Sequence, residues 1–150
     1  MNKSKGFTVI ELIVVVVIIA VLAIIVTTNV VSYNNKGKNA AIKADLGNEL
    51  TEATKYFESD PSYAGTYNFW CVSASVTKFK NAAENKGATD WKCFCDKDTS
   101  MPICRDINGN NTKWCTSVIL VGSGAGTYCV DSSGAKLSGK TCSPGSGVCQ

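Results

Sequence analysis

The sequence predicts an α+β protein: one long N-terminal α-helix, membrane-apolar in its first half and amphipathic in its second, packed against a small antiparallel β-sheet head with disulfide-bonded loops. Three observations predict it. An unbroken apolar run from Leu12 to Val26 is followed, past residue 40, by apolar residues at helical spacing. Two alternating segments flank a glycine-rich loop around Gly124. Eight cysteines all lie at or beyond position 71.

The helix comes first. Phe7 to Val26 is 20 residues, which as a helix measures about 30 Å, the thickness of a bilayer's hydrocarbon core. Lys3 and Lys5 precede it, so the positive-inside rule keeps the N-terminus cytoplasmic and sends the rest outward. An acidic residue, Glu11, stands near the start of this segment, where a carboxylate is expensive and asks for a role. An ordinary secretory signal would have a shorter apolar region and a small-residue cleavage site. Ala20-Val21-Leu22-Ala23 is the nearest approach to one, and the run continues past it. A plain single-span anchor fits the length but gives no reason for Glu11.

Beyond Val26 the residues Ile42, Leu46, Leu50, Ala53 and Phe57 form one helical stripe. Lys43, Asp45, Glu49, Glu52 and Lys55 are assigned to the other faces. Ser32 to Asn39, with Gly37, are poor helix formers and predict a weak point between the two apolar stretches. The helix is expected to end before Ser59-Asp60-Pro61, because proline drives its predecessor out of helical geometry. It therefore spans residues 7–58, with 7–26 as the membrane segment, and residues 59–150 form the head.

The segment after Pro61 is read more coarsely. Phe69 to Val76 fits a strand or a short helix, and Phe79 to Glu84 a brief helix. Asp106 to Thr112 is turn chemistry whose spaced oxygens invite a calcium loop. Such a loop would want Gly at its sixth position and Glu at its twelfth, where Asn111 and Ser117 stand, so a turn is the preferred reading. Asn110-Asn111-Thr112 also fits the N-glycosylation pattern, relevant only in a host with that machinery.

Trp114 to Val121 and Thr127 to Asp131 alternate around Gly122-Ser123-Gly124-Ala125-Gly126, the pattern of an antiparallel hairpin. Pairing Leu120 with Tyr128 and Val118 with Val130 keeps one apolar face together, packed on the Ile42–Phe57 stripe, and puts Cys115, Ser117, Ile119, Cys129 and Asp131 outside. Cys129 then lies opposite Ile119, about four residues from Cys115, too far to bridge within the hairpin. Both need partners from segments lying over the sheet.

Eight cysteines in an exported chain imply a disulfide framework. They are Cys71, Cys93, Cys95, Cys104, Cys115, Cys129, Cys142 and Cys149, and they permit 105 connectivities. The tail from Ser138 to Gln150 has one large aliphatic residue, Val148, and cannot hold itself down by burial. At least one tail cysteine is expected to reach Cys115 or Cys129. The competing reading is a four-thiolate zinc site including Cys93 and Cys95, but C-x-C is not the usual zinc spacing. No metal or cofactor is expected.

The near-neutral charge balance argues against a dedicated nucleic-acid binder, though not against a local basic patch. Lys78, Phe79, Lys80, Lys86, Trp91, Lys92, Phe94 and Lys97 could meet a single strand by phosphate contact and stacking. Glu84, Asp90, Asp96 and Asp98 are interleaved and cancel much of that field, so the aromatics are expected to form a small core instead. The chain has no histidine, which excludes His-based triads and imidazole metal sites. A non-catalytic protein is expected.

Lys3-Ser4-Lys5-Gly6 followed by Phe7-Thr8-Val9-Ile10-Glu11-Leu12 resembles the class III signal of type IV pilins and pseudopilins. The resemblance implies a leader over residues 1–6, cleavage by a prepilin peptidase between Gly6 and Phe7, and N-methylation of Phe7. Losing the leader takes two lysines and lowers the formal charge from +3 to +1. Self-assembly through the apolar helix is implied, with an assembly-platform membrane protein and its ATPase system as partners. So is a location: first the inner membrane as a single-pass precursor, then an extracellular pilus filament. Glu11 would serve assembly by meeting the new Phe7 amine of its own chain or of a neighbour. The predicted head resembles the pilin head, and Tyr128 to Gly134 looks like the tyrosine-aspartate-glycine strand end of many members. Many pilins carry a proline in the apolar half and this sequence has none, so any softening of the helix would fall elsewhere, such as near Gly37. The alternatives are a pseudopilin of a type II secretion or DNA-uptake system and, outside the family, a membrane-anchored extracytoplasmic binding domain that never polymerises.

Overall fold

A computed structural model describes residues 6–59, 65–97, 104 and 111–150, without the side chains of Thr28 and Ser59. The chain divides into two compact units, residues 1–35 and 36–150, and helix α1 (Val9–Ser59) contributes to both. The division falls inside the stretch of poor helix formers, although α1 is helical throughout it. In the first unit every large apolar residue from Phe7 to Val26 is exposed, as an apolar-all-round helix without a protein partner must be.

The second unit is built on the amphipathic half of α1. Ile42, Leu46 and Ala53 are fully buried there, with Leu50 and Phe57 partly so. Glu49 departs from the expected polar face: it is fully buried. The reason is helical geometry. Residue 49 is seven from Ile42, two turns almost in phase, so it lies on the inward stripe between Leu46 and Ala53.

After a 3-10 turn at Trp70–Val72 comes helix α2 (Ala74–Asn85), so 69–76 is not a strand. The Ser73 Oγ accepts from the Val76 N–H at 3.2 Å as N-cap, and Val76, Phe79 and Ala83 face the core. Four antiparallel strands follow in sequence order: β1 (Thr89–Cys95), β2 (Trp114–Ile119), β3 (Thr127–Asp131) and β4 (Lys136–Ser138). β1 and β4 were not expected. The first hides its alternation behind a bulge between Thr89 and Lys92, and the second has only three residues.

The hairpin register also differs from the expected one. Val118 pairs with Tyr128 and Thr116 with Val130, so Cys129 lies opposite Ser117 rather than Ile119. The displacement is two residues, which leaves every side chain on its expected face. The hydrophobic pattern fixes the face. The length of the glycine loop fixes the register, and here it leaves Leu120 outside the ladder.

Inside the sheet, Trp114, Val118, Tyr128 and Val130 join the α1 stripe in one core. Its far end is aromatic: Trp70 packs on Tyr56 and Trp114 with ring centroids 5.2 and 5.6 Å apart, and Phe57 packs on Tyr67 at 4.8 Å. Polar ties also fasten α1. Asn39 exchanges two hydrogen bonds with the Val121 backbone (2.9 and 2.8 Å), Asp45 pairs with Lys86 at 2.6 Å, and the Tyr56 hydroxyl donates to the Asn68 carbonyl.

Candidate processing and assembly site

Gly6 and Phe7 precede the helix in non-helical backbone, and Phe7 is 81% exposed. Among the described residues, a Cβ built on Gly6 would meet nothing within 4 Å.

Thr8 is the N-cap of α1 and Glu11 its third helical residue. The Thr8 amide and hydroxyl both donate to Glu11 Oε2, at 2.8 and 2.7 Å, while the Glu11 amide returns a 3.4 Å bond to Thr8 Oγ1. This is a reciprocal capping box, which satisfies orphan amides of the helix start and places a negative charge at the positive end of its dipole. Sequence reasoning sought a partner for Glu11 only in the Phe7 amine and missed Thr8. The S/T-x-x-E spacing of Thr8 and Glu11 was the available signal.

The eight cysteines form four disulfides: Cys71–Cys93, Cys95–Cys104, Cys115–Cys142 and Cys129–Cys149. Both tail cysteines reach the outer face of the sheet. There Phe94, Cys115, Cys129 and Cys142 make a second, small core with Cys149 against it. Hydrogen bonds seat the tail: Ser117 Oγ accepts from the Cys142 amide at 3.1 Å and Asp131 Oδ2 from the Cys149 amide at 2.9 Å. Asp131 also accepts, through Oδ1, from the Ser133 amide and hydroxyl and the Ala135 amide, closing the Ser132–Gly134 turn. Gly147 lies so close to the β1–β2 end that a Cβ there would stand 2.7 Å from Lys113 Cβ, at a φ of +59°.

Cys71, Cys93 and Cys104 gather within 4.8 Å of one another, as the zinc reading would ask of Cys93. Each sulfur is half of a disulfide and offers no thiolate. In the basic-aromatic segment, Phe79 and Phe94 are buried, Lys86 is paired with Asp45, and Lys92 with Asp90 at 2.8 Å. Of the three aromatics Trp91 alone is partly exposed, so no row of stacking platforms forms. Of the calcium reading, residues 106–110 lie outside the described set, as does the glycosylation position Asn110. Asn111 is fully buried and spends its amide on Asn68 Oδ1, the Cys104 carbonyl and the Lys97 amide.

A long helix with an apolar start, a small antiparallel four-stranded sheet and four disulfides define a pilin-like α+β fold. Residues 1–27 match the family model of the prokaryotic N-terminal methylation motif. The chain thus begins as a type IV pilin-like or pseudopilin-like, membrane-anchored precursor. Comparison with curated proteins and with solved structures returned no match.

Proposed function

We propose that the chain is a structural, non-catalytic subunit of a type IV pilus-like surface filament, cut after Gly6, methylated on Phe7 and polymerised through its apolar helix. The observation that carries this reading is the first unit: an apolar surface exposed on every side, with its one carboxylate at the very start. In a membrane that surface faces lipid. In a filament it faces other copies, which makes extraction from the bilayer tolerable. Glu11 marks the depth at which copies align, the Phe7 amine of a neighbour being the cation that offsets its charge. Processing by a prepilin peptidase and work by an assembly platform and ATPase follow from this reading, as does an extracellular end state.

The experiment is mass spectrometry of the mature chain beside microscopy of sheared surface filaments. The expected result is an N-methylated Phe7 terminus in the main filament band, and loss of both in Gly6→Arg. Intact Met1 in surface-exposed protein would overturn the reading. A processed chain confined to short, cell-bound assemblies would move it to the pseudopilin alternative.

A further inference from the structure

Glu49 sits where the second half of α1 meets β2. Its side chain is fully buried, Oε1 accepts one hydrogen bond from Thr116 Oγ1 at 2.8 Å, and Oε2 has no partner. The charged groups of the surrounding elements form no ion pair with it. On α1, Asp45 is paired with Lys86 of α2 and Glu52 with Lys55 at 2.7 Å, while the Lys43 ammonium lies 5.1 Å from the centre of the Tyr128 ring of β3. The inner face of β2 offers Trp114, Thr116 and Val118, none of them ionic. Lys136 of β4 reaches α1 beside Gly47, its Nζ 3.3 Å from where a Cβ would stand. Among the described residues no ammonium forms an ion pair with Glu49. A carboxylate in such surroundings has one hydroxyl and no counter-charge, and it is far more stable as the neutral acid.

We infer that Glu49 makes the contact between α1 and the sheet proton-dependent: the head closes with Glu49 as the neutral acid and loosens along that contact when the acid ionises. Burial pushes the Glu49 carboxyl up from an ordinary 4.5 to about 8, against a smaller lowering by the Thr116 hydroxyl. In an opened head the group is solvated and returns to its ordinary value. Below about pH 4.5 both states hold the proton and this group adds no pH dependence. Between there and about pH 8 closing takes up one proton, so the closed form is disfavoured as pH rises, by up to about tenfold per pH unit. Above that range both states are ionised and the loss is complete.

The test uses the full oxidised chain in detergent micelles. Amide protection over residues 46–53 and 114–118, corrected for intrinsic exchange, is followed from pH 5 to pH 8. In the wild type it should fall by up to about tenfold per pH unit. Glu49→Gln, which keeps the shape and cannot ionise, should lose that slope. Thr116→Val removes the one bond that favours the charged form, so the fall should extend to higher pH. Carboxyl ¹³C shifts of labelled glutamate supply a readout that needs no variant: one carboxyl of the folded chain should titrate far above the others. Equal slopes in wild type and Glu49→Gln, or a Glu49 carboxyl titrating with the exposed glutamates, would overturn the inference.

Discussion

Two glutamates of helix α1, Glu11 in the first unit and Glu49 in the second, are satisfied in opposite ways. Glu11 is exposed and is held by Thr8, three residues away. Glu49 is buried and is held by Thr116, sixty-seven residues away. The surroundings invert in the same sense. Around Glu11 the apolar side chains have no cover in the isolated chain, whereas around Glu49 they are sealed beneath a sheet. One continuous helix thus serves two solvents. Its first half is complete locally and unfinished globally, waiting for lipid or for other copies. Its second half is covered by its own chain, and the hydrogen bond that Glu49 makes there comes from a distant strand.

The largest effect expected from breaking this contrast is at Glu11. Glu11→Val should leave the precursor inserted, since it removes a carboxylate costing ~2.5–3.5 kcal/mol in lipid, and should reduce filament yield to background. Microscopy of sheared material with membrane fractionation checks it, and normal yield would mean that the carboxylate is only tolerated.

The head should respond to its disulfides without the membrane half noticing. Removing Cys115–Cys142 by a double alanine substitution should destabilise the head by about 2–4 kcal/mol. The tail has little apolar surface to replace the bridge, so residues 139–150 should become protease-sensitive while the helical circular dichroism persists. Retained protease resistance would show that the Cys129–Cys149 bridge, with the hydrogen bonds to Ser117 and Asp131, suffices.

A smaller loss is expected at Asn39, whose two bonds to Val121 join α1 to the β2–β3 loop. Asn39→Ala should cost about 1–3 kcal/mol, because it leaves two backbone groups of the loop without a partner. Thermal melting of the head is the readout. The smallest effect is at the capping box, where Thr8→Ala should cost about 0.5–2 kcal/mol of local helix stability. Faster amide exchange over residues 9–12, with an unchanged head melting temperature, would confirm that this contact is local.

What was legible follows how local each signal is. The apolar run, the α1 stripe, the hairpin strands and the outward face of Cys115 and Cys129 are periodic patterns of adjacent residues, and a period survives without knowledge of the partner. The basic-aromatic segment was harder, since a lysine beside an aromatic does not reveal which of them turns inward. Phe79 and Phe94 do, and β1 emerges only because β2 is there to pair with it.

By itself the sequence determined the membrane-length helix, the Gly6–Phe7 junction, the existence of a small sheet and the need for cross-links, and its Thr8–Glu11 spacing held a capping signal that went unread. These depend on composition and on spacings of a few residues, where backbone geometry alone says which groups meet. Tertiary structure decided the four disulfide pairings and which group meets the buried Glu49, Thr116 of β2. Each of these turns on which distant segment arrives at a surface. That choice is made by the summed packing of the whole head, and no short window of the chain contains it.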